Sequence, residues 1–168
     1  DSRRKALTKA LAGLDKYLSV YSPDGGCDEG PSYWARSGGS LFECLEMLWD
    51  ITEGVFDPFS EELIQKMGQY MYKVHIADEY FVNFADGSAK AEVDGPILFS
   101  YGQRIGDEAL IKLGVEMYLS QGLEGLLSPI NYSLGRILRA ALLHGEIADY
   151  KGGQAALPRD HWLEELQV

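Results

Sequence analysis

Leu7, Leu11, Leu14 and Leu18 recur at steps of four, three and four residues, a spacing that lines one face of a helix and cannot serve the alternation of a strand. This predicts a first helix over residues 6–21. Ser22-Pro23-Asp24-Gly25-Gly26 ends it, because proline stops the helical pattern and the two glycines tolerate positive φ. A loop then runs to about Gly38. Ser40 is the expected N-cap of a second helix over residues 41–49, which is apolar nearly all round and so expected to be buried on several sides.

The same punctuation continues. Pro58 and the expected cap Ser60 announce a third helix, with Glu61 and Glu62 in the first turn where the helix dipole favours negative charge. It carries Leu63, Met67, Tyr70, Met71 and Val74. Residues 79–88 are aromatic and partly alternating, which predicts a short extended stretch ending in a turn. Pro96 opens a fourth helix to about residue 105, Asp107 caps a fifth through residue 120, and Asn131 or Ser133 begins a sixth reaching about residue 147. Residues 151–158 read as loop, with a last turn at 161–166. Helices separated by Gly, Pro and Asp turns, without a convincing sheet, predict an all-α fold of consecutive antiparallel helical hairpins. Hairpins of roughly 45 residues are compatible with units of an α/α toroid or an α-solenoid, which spacing alone does not separate.

The 168 residues fit one domain. A hydrophobic content of 46% with 24% charged residues is that of a chain that folds. No run approaches a membrane span, and no signal peptide is read at the N-terminus, where the helical pattern looks like the interior of a longer protein. The net charge of −11 argues against nucleic acid as a partner, since phosphate binding needs clustered Lys and Arg. It would also repel any acidic ligand, so a cationic clamp for one must be local or come from elsewhere in a parent protein. Cys27 and Cys44 are expected to be free thiols. Neither they nor His75, His144 and His161 stand at metal-ligand spacing, so no metal site is predicted. Gly102 to Gly106 lacks the Lys-Ser/Thr ending of a phosphate loop.

The loop from Asp24 to Trp34 concentrates acids, a phenol, an indole, glycines and a proline between two helices, more polar chemistry than a connector requires. Asp24-Gly25-Gly26, Asp28-Glu29-Gly30-Pro31 and Tyr33-Trp34 together resemble the toroid-domain motif of heparinase II/III-like polysaccharide lyases. Ser40-Leu41-Phe42-Glu43 and the stretch from Tyr80 to Asp86 are similar to the same family, and the likeness spans roughly residues 5 to 115. The resemblance implies part of an α/α toroid that cleaves uronic-acid polysaccharide by β-elimination. A base removes the C5 proton of the uronate while its carboxylate is neutralised, and an acid protonates the departing C4 oxygen. It implies no cofactor, a periplasmic or secreted location, and a parent protein that includes a β-sandwich domain.

Carried onto this chain, the catalytic tyrosine falls on Tyr33. A tyrosine base needs nearby positive charge or donors, because an ordinary phenol titrates near pH 10, and Arg36 is the local cation. Trp34 is the candidate for stacking on a sugar face, Glu29 for bonding hydroxyls, and Asn83 for lining a sugar groove. The family's Asn or His partner lies ahead of this motif, upstream of residue 1, so the isolated chain is expected to be inactive. Cys27 stands where the family pattern leads one to expect an aromatic residue.

Plainer readings stand beside these. Tyr33 alone would read as an aromatic plug, Asp24 and Asp28 as turn caps, Trp49 as core, and His75 as a satisfied interior histidine. Two other functions stay open. One is a non-catalytic helical module binding glycan or protein through the acidic loop. The other is a glycoside hydrolase using Asp28 and Glu29, ranked last because adjacent carboxylates seldom flank one bond.

Overall fold

The computed structural model describes residues 2–126, 133–152 and 160–168. They form an all-α fold of six helices: α1 (Ser2–Ser19), α2 (Gly38–Ile51), α3 (Glu62–Lys73), α4 (Gly95–Ile105), α5 (Glu108–Leu126) and α6 (Leu134–Ala148), with 3-10 turns at Pro31–Arg36 and Pro58–Ser60. Of the extended stretch expected over residues 79–88, Tyr80–Phe81 is the strand β2, and it pairs antiparallel with a strand the sequence did not suggest, β1 (His75–Ala77), with His75 opposite Phe81. No helix of the described residues is long and apolar enough to cross a membrane.

The central element is α4, in which every residue from Gly95 to Gly102 is buried. Two glycines let it lie directly on α5: a Cβ at Gly95 would come within 2.6 Å of the Gly114 carbonyl, and one at Gly114 within 2.5 Å of the Phe99 nitrogen. Around α4 the largest enclosed side chains are Trp34, Tyr70, Tyr101 and Phe42, with Tyr101 stacked on both Phe42 (4.5 Å between centroids) and Trp34 (6.0 Å). A second cluster of Phe99, Val115, Tyr118, Ala140 and Ile147 joins α6 to α4 and α5. Arginines tie the helices to α2: Arg104 of α4 and Arg139 of α6 both reach Glu46, and Arg136 of α6 reaches Glu43.

Several local expectations change. Helix α2 starts at Gly38, so Ser40 lies inside its first turn, donating to the Ala35 carbonyl (3.3 Å) rather than capping. Nor is α2 buried on several sides, since Met47 and Ile51 are each 65% exposed. Before α3, Asp57 accepts from the Phe59 amide and Ser60 closes the 3-10 turn, so Ser60 is not the cap. Asp107 does cap α5, accepting from the Leu110 amide at 3.1 Å, but that element runs on to Leu126 across a non-helical Gly122. Asp94 caps α4 in the same way through Ile97. Ser133 sits at the N-cap of α6, while Asn131 lies outside the described residues. Trp49 lies at the core's edge beneath the Arg104 guanidinium, 3.9 Å from its ring centroid.

Candidate functional site

The loop after α1 is built by backbone that only glycine supplies at two points. Gly25 (φ 80) presses against the main chain of α3 at Lys66, and a Cβ there would collide with that peptide. Gly30 (φ 93) abuts the Phe84 carbonyl, which a Cβ would approach to 2.8 Å. Asp24 closes the first turn. Its Oδ1 accepts from Ser22 Oγ (2.7 Å) and the Gly26 amide (2.9 Å), and Oδ2 accepts from the Glu165 amide (3.1 Å) and the Leu166 amide (3.4 Å). Burial disfavours its charge, yet these four donors outweigh burial and hold the carboxyl below its ordinary value. Asp24 is therefore the turn cap the residue types suggested. Asp28 is exposed and caps nothing among the described residues.

Pro31 then opens the 3-10 turn that carries Tyr33, Trp34 and Arg36. Trp34 is its anchor. The indole is fully buried, stacks on Tyr101, and donates from Nε1 to the Met67 carbonyl at 2.8 Å. This corrects the expectation that Trp34 stacks on a sugar: neither face of the ring is open, because an indole this apolar gains most by completing the core between α3 and α4. Tyr33, the next residue back, is half-buried. The Arg36 guanidinium carbon lies 5.8 Å from its ring centroid, and Arg36 is itself exposed.

The other expected site residues fall around this turn. Glu29 is exposed, and its carboxylate is unpaired among the described residues. Asn83 is exposed in the turn after β2, and that turn is brought alongside the loop by the Gly30–Phe84 contact and by the Ser88 amide donating to Ser32 Oγ at 2.9 Å. Tyr33, Glu29, Arg36 and Asn83 thus belong to two adjacent surface segments, while Trp34 lies beneath them.

Burial pushes the phenols of Tyr21, Tyr70 and Tyr101 well above the ordinary tyrosine range, since a phenolate is poorly solvated in the core. Tyr70 instead donates to the Cys27 carbonyl at 3.4 Å and pins the loop. Cys27, buried where an aromatic residue was expected, packs in the core with Sγ 3.3 Å from Ser37 Oγ. Both cysteines are free thiols. Among the described residues no group of His, Cys, Asp and Glu could hold a metal ion. The histidines are engaged elsewhere: His75 with the Asp78 carbonyl (2.9 Å), His144 with the Tyr118 hydroxyl (2.7 Å), and His161 beside the Tyr72 ring. His75 belongs to the β hairpin rather than the interior.

One structural member of the site carries no sequence signal. Arg136 of α6 donates from Nη2 to the Ala35 carbonyl (2.8 Å), between Trp34 and Arg36, and to Glu43 (2.8 Å). More than a hundred residues separate it from that turn, so only the packing of α6 reveals it. No family model matches the chain, and the search of curated proteins finds no match.

Proposed function

We propose that this chain is part of the α/α toroid of a polysaccharide lyase acting on uronic-acid-containing polysaccharide, with Tyr33 as the proton-transfer residue. Beyond the likeness of the Asp24–Trp34 block, the reading is supported above all by the placing of Tyr33. It is a partly buried phenol in a turn whose neighbour Trp34 is locked into the core, and a guanidinium stands over its ring. In this reading the Tyr33 oxygen takes the C5 proton, Arg36 faces the uronate carboxylate, and the phenol returns a proton to the departing C4 oxygen. Glu29 and Asn83 contribute hydrogen bonds to hydroxyls. The remaining donor, an Asn or His, comes from the rest of a parent protein, as does additional positive charge for an acidic chain. A periplasmic or secreted location accompanies this reading.

The test is a lyase assay within the full-length parent, following the ultraviolet absorbance of the unsaturated uronate product. Tyr33→Phe should abolish turnover while leaving the fold intact, and a variant that retained the wild-type rate would sink the assignment. The exposed carboxylates of Asp28 and Glu29, unpaired among the described residues, support a second reading, a non-catalytic module that binds glycan or protein. Binding without turnover in the intact parent, weakened by Glu29→Gln and untouched by Tyr33→Phe, would favour it.

A further inference from the structure

Tyr17, on the last turn of α1, and Tyr21, just beyond it, lie the opposite way round from most tyrosines at a surface. There the ring is covered and the hydroxyl reaches water. Both residues here are partly exposed, yet their phenol oxygens are enclosed. The two rings are neighbours, with centroids 5.4 Å apart. Neither oxygen makes a hydrogen bond of ordinary geometry among the described residues. An enclosed hydroxyl without a partner is destabilising, and a phenylalanine would fill the same space without that penalty. Two such hydroxyls side by side call for an acceptor within reach of both.

The Ser37 hydroxyl stands where that acceptor is needed. Burial pushes both phenols up, and at each of them Ser37 offsets part of the rise. Cys27 Sγ lies 3.3 Å from the same Oγ. On its other side Ser37 closes the 3-10 turn that carries Tyr33. Its amide donates to the carbonyls of Tyr33 (3.2 Å) and Trp34 (3.1 Å), and its hydroxyl donates to the Trp34 carbonyl at 3.2 Å. A serine hydroxyl donates one hydrogen bond and accepts two. With its hydrogen on Trp34, two lone pairs are left for two phenols, while the Cys27 thiol, a weak donor, loses least by standing aside.

We propose that the Tyr17 and Tyr21 hydroxyls close onto Ser37 Oγ, which makes Ser37 the positioning residue through which α1 holds the Tyr33 turn. Ser37 touches no substrate in this arrangement and acts through the main chain of Tyr33 and Trp34. Trp34 ties the turn to α3 and Ser37 ties it to α1, so the direction in which the Tyr33 side chain leaves the surface is set from both sides. The effect on turnover rests on the lyase reading of Tyr33.

Two measurements on this chain need no turnover. In urea denaturation, Tyr17→Phe and Tyr21→Phe should each lower the midpoint in the wild-type background and leave it unchanged once Ser37→Ala is present. Hydrogen exchange at the Ser37 amide should be about tenfold faster in Tyr21→Phe, a readout that stands even if Ser37→Ala does not fold. Within the full-length parent, Ser37→Ala should lower kcat about tenfold with KM unchanged, and Ser37→Thr, which keeps the hydroxyl, should restore it. Midpoint shifts that are equal with and without Ser37, a midpoint raised by either phenylalanine, or an unchanged Ser37 amide would each overturn the proposal. So would wild-type turnover in Ser37→Ala. A parent inactive on every uronate polymer would instead be the failure of the lyase reading, and the urea and exchange results would still decide whether α1 holds the turn through Ser37.

Discussion

Trp34 and Met67 are joined by a hydrogen bond from the indole Nε1 to a main-chain carbonyl of α3, 2.8 Å long and sealed from water. It fixes the 3-10 turn, and with it the direction in which Tyr33 and Arg36 leave the surface. Trp34→Phe keeps most of the apolar area but removes the donor, and should cost about 1–2 kcal/mol. Trp34→Ala opens a cavity as well and should cost roughly 3–5 kcal/mol. Urea denaturation of both variants measures the pair. A Phe variant as stable as wild type would show that the bond contributes nothing.

Glycine substitutions should have opposite signs at two positions. Gly25 has φ 80 and abuts the Lys66 peptide, so Gly25→Ala should destabilise by about 2 kcal/mol or more. Gly145 lies within α6 with open space around the place of a Cβ. Gly145→Ala should stabilise by about 0.5–1 kcal/mol. Thermal melts of the two variants side by side provide the check.

Asp24 makes acid stability residue-specific. Its carboxyl is held below the ordinary value in the folded chain, so the stability it contributes is complete above the unfolded carboxylate range. That contribution is lost as pH falls through the lowered folded value. The gap in urea midpoint between wild type and Asp24→Asn should therefore be widest near neutral pH and shrink towards about pH 3. A gap independent of pH would mean that Asp24 acts through shape alone.

The thiols should react in two phases. Cys44 is exposed, and Cys27 is 2% exposed. Burial pushes the Cys27 thiol up, an effect its hydrogen bond to Ser37 offsets only in part. Ellman's reagent should titrate one thiol at once and the second only on unfolding, and Cys44→Ser should remove the fast phase. Two fast thiols in the native state would contradict the packing of the loop.

Arg136 should matter to the turn despite its distance in sequence. It is 14% exposed and bonds both the Ala35 carbonyl and the Glu43 carboxylate. Arg136→Ala should cost about 2 kcal/mol, and Arg136→Lys should recover less than half, because an ammonium cannot fork between two acceptors. A double-mutant cycle with Glu43→Gln separates the ion pair from the bond to Ala35.

What the chain alone made legible was whatever is decided within a few residues. Leucine spacing gave α1, Pro96 gave the opening of α4, and Asp107 gave a cap, since helix periodicity and capping are local physics. The Asp24 turn was legible for the same reason. Sequence also marked Tyr33, Glu29, Arg36 and Asn83 by residue type and likeness. It could not say that Trp34 faces inward, because an indole beside a polar loop is equally suited to a core or to a sugar, and only the position of Met67 and Tyr101 decides which. The central place of α4 was hidden too. Its neighbours are chosen by how closely two backbones can approach at Gly95 and Gly114, a relation between helices that no periodicity records. The bond from Arg136 to Ala35 and the meeting of the Asn83 turn with Gly30 are of the same kind. They depend on which surfaces meet when the helices close on one core, and that is a property of packing in three dimensions rather than of order along the chain.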